Sequence, residues 1–228
     1  MVYKDYVAMD QLTFKFPFSK KYYEQDFFVS NNNFSAYKLI ESWPTWPGKW
    51  LNIFGAPGSG KTHLAKILEK KISRIKIVNA KDVNNDLIQK LNDLECLIID
   101  SFANNIDEKL LYSILNQSKQ LDNYVLINSV SSIKNDNLKL VDLKSRINSF
   151  VFIGIDLPTD DLLQVIISKS FSDKQISINP KVSDFIIKNV DRSYDKMFKF
   201  LKDVDDLSLS SGKSININLI KKVLKNNE

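Results

Sequence analysis

Gly55, Gly60, Lys61 and Thr62 stand in the spacing G-x-x-x-x-G-K-[ST], a pattern whose chemistry is the holding of phosphate. Glycines let successive backbone N–H groups curl around phosphate oxygens without a Cβ in the way, and a helix starting at the same point adds a partial positive charge. In such a loop Lys61 supplies a point charge to the β and γ phosphates, and Thr62 a hydroxyl to Mg²⁺. The stretch Gly55-Ala56-Pro57-Gly58-Ser59-Gly60-Lys61-Thr62-His63 takes three of the six glycines in the chain, which weighs against the competing reading of a plain structural turn.

Asp100 follows the apolar run Leu97-Ile98-Ile99. A carboxylate at the end of such a strand can orient the same Mg²⁺, usually through water; its other reading is a cap on the next turn. Many hydrolases with this loop carry a second carboxylate next, to polarise the attacking water. Here the residue is Ser101, which cannot act as a carboxylate base, so nucleotide binding with weak or no intrinsic hydrolysis is expected. Asn128 and Ser129 end a later apolar strand, where a polar group could sense the γ-phosphate or the lytic water; an ordinary loop role is the alternative. Arg146 can reach out of its own subunit to a neighbour's γ-phosphate, or else make a surface ion pair. His63, the single histidine, is expected to be structural or peripheral, and without further histidines or a cysteine cluster no zinc site is expected.

These residues need a strand, a loop and a helix to hold them. Leu51, Ile53 and Phe54 read as a short buried strand before the loop, and Leu64, Ile67 and Leu68 recur at helical spacing after it. The alternation continues: strands at 74–80, 95–100, 124–129 and 150–155, with helices at DLIQKL and at about 107–119 on a Leu110, Leu111, Ile114, Leu115 face, and a short segment, VDLKSRI, leading into the last strand. Five strands interleaved with helices predict an α/β fold, a parallel sheet in a three-layered core. From Pro158 the pattern is helical, with Leu162, Leu163, Val165 and Ile166, then Val182, Phe185 and Ile186, then Met197, Phe198, Leu201 and Val204, then NLIKKVLKN. The expected organisation is an extended segment over 1–24, an α/β core over 25–157 and a small helical domain over 158–228.

Composition fits this plan. The chain has 228 residues, 43% hydrophobic and 26% charged, as in ordinary globular proteins. Its net charge of +5 comes from 32 basic and 27 acidic residues, with the lysines scattered, so a solvated surface is the first reading. No stretch reads as a membrane span or signal peptide, and the lone Cys96 fits a reducing, cytoplasmic home.

Taken together, FFVSNNNFSAYKLIESWPTWP, GAPGSGKTHLA, VDLKSRI, LPTDDLLQVIISKSFSDKQISI and DRSYDKMFKFLKDVDDLSL resemble the AAA+ class, in which a phosphate-loop core precedes a helical lid. Within it the chain resembles the Hda family of DnaA-homologous regulators of replication initiation, in its shorter alphaproteobacterial form. The resemblance implies resident ADP or ATP with Mg²⁺, the base lying near Phe28, Val29 and Asn33, and Asn128 as the sensor on its strand. It implies a clamp-binding peptide at Gln11, Leu12, Phe14 and Phe16, docking on the polymerase sliding clamp. It also implies that Arg146 acts in trans, stimulating ATP hydrolysis by the initiator DnaA. In the lid, Asp195 falls where DnaA-like proteins carry a γ-phosphate-sensing arginine, leaving Arg192, one turn away, as a weaker candidate. Side-by-side self-association is expected; sequence-specific DNA recognition is not. Two other readings stay open: an adaptor recruiting partners to the origin without stimulating hydrolysis, and a self-sufficient ATPase or small-molecule kinase.

Overall fold

The computed structural model describes residues 24–103 and 106–226, so Gln11, Leu12, Phe14 and Phe16 lie outside the described residues. Chain contacts divide the described residues into two units, 24–158 and 159–226.

In the first unit, α1 (Phe34–Glu41) precedes β1 (Trp50–Gly55), α2 (Lys61–Glu69), β2 (Ile75–Asn79), α3 (Asp86–Lys90), β3 (Cys96–Phe102), α4 (Glu108–Gln120), β4 (Tyr124–Ser129), α5 (Val141–Ile147) and β5 (Val151–Ile155). The five strands form one sheet in the order β2-β3-β4-β1-β5, with every pair parallel. Parallel strands are covered by helices on both faces, so their residues are apolar without alternation. In β3, Leu97 and Ile99 face one layer with Leu111 and Leu115 of α4 and Leu143 of α5. Cys96 and Ile98 face the other, with Ile40 of α1 and Leu64 and Leu68 of α2. Each such side chain, fully removed from water, contributes roughly 1.5–3 kcal/mol. The three-layered α/β core expected from the alternation is the one observed.

Cys96 is fully buried, and that burial pushes its thiol above the ordinary cysteine range. Thiolate is the reactive form. The native protein is therefore expected to resist a thiol reagent such as DTNB at pH 8, and the unfolded protein to release one equivalent; prompt native labelling would contradict the packing of β3.

Strand β3 continues two residues beyond the expected end at Asp100. Between Ile99 and Phe102 the pairing with β4 shifts, and Ser101 takes φ 59°, in the left-handed region that non-glycine residues rarely occupy. This bulge turns the chain after Asp100 while Phe102 returns to pair with Ser129.

The start of α4 also fixes α5. The Asp107 carboxylate accepts from the backbone N–H groups of Lys109 and Leu110, each at 3.0 Å, and caps α4. Next to it, the Glu108 carboxylate accepts from the N–H groups of Lys139 and Leu140, where the chain enters α5. Those backbone bonds hold the Glu108 carboxyl below its ordinary pKa.

The second unit comprises α6 (Asp160–Ser172), α7 (Pro180–Asn189), α8 (Tyr194–Ser211) and α9 (Ile217–Asn226). Thr159 caps α6 and Asn179 caps α7 with Pro180 behind it, while Gly212, at φ 62°, ends α8. Leu163, Ile167, Phe171, Ile186, Met197, Leu201, Val204 and Ile220 form the core. One expectation is corrected here. Phe198 is 46% exposed and Phe200 is buried in its place, because Met197, Phe200, Leu201 and Val204 share the inward stripe of α8.

Candidate phosphate-binding site

The carboxyl ends of β1, β3 and β4 are adjacent in the sheet, at the edge where open α/β folds hold ligands. Each delivers one part of the site. From β1 the loop runs through Gly58 (φ 80°) to Gly60 (φ 95°), which caps α2 in the left-handed conformation. Gly60 is required twice over, since a Cβ there would come within 2.8 Å of the Phe27 ring. At Gly55 a Cβ would lie 2.7 Å from the Ile155 carbonyl of β5, so only glycine lets β1 end this close to its neighbour.

The Lys61 ammonium donates to the carbonyls of Gly55 (2.7 Å) and Ala56 (2.9 Å) and to Ser59 Oγ (3.3 Å). It therefore sits inside the loop it is expected to serve. Thr62 Oγ1 donates to Asp100 Oδ2 at 2.9 Å. Asn128 Nδ2 donates to Asp100 Oδ1 (2.9 Å) and to the Lys61 carbonyl (3.2 Å), which ties β4 to the first turn of α2. Its Oδ1 is buried without a donor, leaving an acceptor ready for water or another donor at the Asp100 end of the site.

These groups fit a nucleoside phosphate with a divalent cation. The loop offers amides and an ammonium for phosphate oxygens, and Thr62 and Asp100 offer hard oxygen ligands. Two neighbouring ligands on an octahedral ion with bonds of about 2.1 Å lie roughly 3 Å apart, close to the separation Thr62 and Asp100 already have. Among the described residues, no group of three or more His, Cys, Asp or Glu is placed to hold a metal by itself.

The segment before the core presents Phe28, 44% exposed, and half-buried Val29. Asn33 is buried: its Nδ2 donates to the Phe28 carbonyl at 2.9 Å and its Oδ1 accepts from the Ser30 N–H at 2.9 Å. Its side chain thus shapes the turn that presents Phe28 and Val29. Phe27, singled out by no motif, stacks on Tyr37 (centroids 5.8 Å apart) and meets His63 edge-on (5.3 Å), above Gly60. His63 accordingly has a packing partner beside the loop. Ser101 is exposed and Ser129 is spent locally, donating to the Ser131 carbonyl (2.6 Å) and accepting from Asn52 (2.9 Å).

Asn52 was also not foreseen. Fully buried in β1, it donates to the Ile127 carbonyl (2.9 Å) and to Ser129, and accepts from the Ile133 N–H (3.1 Å). The signal was there to read: one amide inside the apolar run Trp50-Leu51-Asn52-Ile53. Removing that acceptor would strand a buried N–H, at a cost of about 1–3 kcal/mol.

Two further candidates have partners of their own. Arg146, half-buried on α5, donates from Nη2 to Asn116 Oδ1 of α4 at 2.8 Å. Arg192, in the second unit, pairs with Asp160 at 2.9 Å; both side chains are more than half exposed, so the pair adds little stability. Asp195 is exposed in the first turn of α8.

Residues 160–224 match the family model described as the Hda lid domain. Over 90% of its length the chain is 26% identical to the chromosomal replication initiator protein DnaA of Buchnera aphidicola subsp. Cinara cedri, and it spans 53% of that protein. The fold is that of domain III of the Thermotoga maritima replication initiation protein DnaA (TM-score 0.77, 18% identity, 92% of this chain and 98% of that one). It also matches AMPPCP-bound DnaA from Aquifex aeolicus (TM-score 0.68, 18% identity, 85% and 68%). These likenesses support a DnaA-like AAA+ protein of Hda type. The phosphate loop, Asp100 and Asn128 lie in the α/β core, and residues 160–224, within α6 to α9, are the part that matches the Hda lid. No described helix is long and apolar enough to cross a membrane.

Proposed function

We propose that this protein is a cytoplasmic regulator of replication initiation that binds ADP or ATP with Mg²⁺, docks on the sliding clamp and stimulates ATP hydrolysis by DnaA. The observation that carries the reading is the junction of Thr62, Asp100 and Asn128 beside the Lys61 loop, in a chain whose lid matches the Hda family. The nucleotide supplies phosphoryl chemistry when bound; the chain's own residues hold it. Loop amides and Lys61 neutralise the phosphates, Thr62 and Asp100 hold the cation, and Asn128 fixes the Asp100 carboxylate. Phe28 and Val29 lie beside the base, and Arg192 is the lid's candidate for the γ-phosphate. Ser101 offers no carboxylate to activate water, which supports slow turnover by the protein alone. Its arginine then serves another subunit's nucleotide, with Arg146 as the finger. Self-association through the same AAA+ face is part of the proposal.

The test is ATP turnover by purified DnaA with and without this protein on DNA-loaded clamp. Acceleration supports the regulator; recruitment without acceleration would replace it with an adaptor, and fast turnover by this protein alone with a self-sufficient ATPase.

Clamp docking is a separate step, argued from Gln11, Leu12, Phe14 and Phe16, since an extended peptide can place a glutamine and apolar side chains in a preformed groove. Removal of residues 1–18 is expected to abolish co-elution with the clamp while leaving the circular dichroism spectrum and nucleotide affinity intact. Unchanged co-elution would refute that peptide.

A further inference from the structure

Arg146 is held by an unusually thin set of contacts for a half-buried cation. Its Nη2 bonds to the neutral amide of Asn116, its Nε–H is buried without an acceptor, and among the described residues it makes no ion pair. Asp142 lies one turn earlier on α5 without pairing to it. A guanidinium has five donors in a planar fork suited to a carboxylate or phosphate. One neutral acceptor leaves that fork largely unused, and a desolvated donor with nothing to bind raises the free energy of the docked state. The helices themselves are fixed: Leu111 and Leu115 of α4 and Leu143 and Ile147 of α5 share one core, and Glu108 fastens the entry to α5. Freedom is thus left to the side chain alone.

We propose that Asn116 is the resting dock of the Arg146 guanidinium, a positioning residue that sets what fraction of the protein presents the arginine outward. Its functional side rests on the reading of Arg146 as a finger acting in trans. A neutral amide is the acceptor that makes such a dock releasable. A carboxylate there would match the fork and hold it.

Two measurements test this. The chain has three arginines, Arg74, Arg146 and Arg192, so side-chain Nε–H signals are readily assigned by NMR with an Arg146→Lys control. Nε–H exchange at Arg146 is expected to be slow in the wild type, faster by roughly ten-fold or more in Asn116→Ala, as for loss of one charge-assisted hydrogen bond, and slow in Asn116→Asp. In the DnaA assay, Asn116→Asp is expected to cut the acceleration by roughly the same factor and Asn116→Ala to preserve or raise it, with both variants melting cooperatively. Equal exchange in wild type and Asn116→Ala overturns the dock. Wild-type acceleration by Asn116→Asp, where Arg146→Ala abolishes it, overturns the control role. If Arg146→Ala itself leaves acceleration intact, the finger reading falls instead, and the exchange rates alone decide the dock.

Discussion

Replacing Lys61 with alanine is expected to abolish measurable nucleotide binding. The Lys61 ammonium makes charge-assisted bonds within the loop, to two carbonyls and the Ser59 hydroxyl, and the same three donors are within reach of any phosphate cradled there. A hydrogen bond to a charged group contributes about 1.5–3 kcal/mol. Losing contacts to two phosphates should therefore lower affinity roughly 100-fold to 10,000-fold. Titration calorimetry with ADP and ATP measures this directly. Thermal melting gives a second readout: ligand at 100 times its Kd stabilises the wild type by about 2.7 kcal/mol, and the variant should show no such gain. The fold should survive, because Lys61 is half-buried at a loop edge and β1 and α2 are held by Leu51, Ile53, Leu64 and Leu68. Unaltered affinity would mean that the loop does not cradle phosphate.

Arg146→Ala should have an effect of similar size on a different observable. An arginine donated to a neighbour's γ-phosphate accelerates hydrolysis by about 10³–10⁵, and alanine removes every donor of the fork. Acceleration of DnaA turnover should fall to background, while the variant's own nucleotide affinity stays that of the wild type. The separation follows from the geometry: Arg146 bonds to Asn116 on α4 and shares no hydrogen bond with Lys61, Thr62, Asp100 or Asn128. Acceleration at the wild-type rate would reject the finger, and a joint loss of nucleotide affinity would show that Arg146 supports its own subunit's site.

How much of this could be read from the sequence depends on how local each signal is. The strands and helices announce themselves through apolar runs and helical spacing, and the loop through glycines that no other part of the chain concentrates. Asp100 and Asn128 could be paired with the loop because both lie near the carboxyl ends of strands, and a parallel sheet brings those ends together. Contacts set by packing were not legible. Phe27 meets Gly60, Asn52 meets Ile133 and Arg146 meets Asn116 across different elements, with no fixed spacing to mark them. Phe198 and Phe200 are two residues apart with equal hydrophobicity, and only the phase of α8 against its neighbours decides which is inside. The bulge at Ser101 was hidden for another reason, since serine carries no preference for the left-handed region that glycine would have advertised.

The ring of Phe27 occupies the space in which any residue but glycine at position 60 would put its side chain. A side chain introduced at position 60 would have to displace that ring, and with it the packing against the Tyr37 and His63 rings on which it rests. The peptide that enters the core thus forms one wall of the glycine turn, so the freedom to vary position 60 and the freedom to vary position 27 are the same freedom.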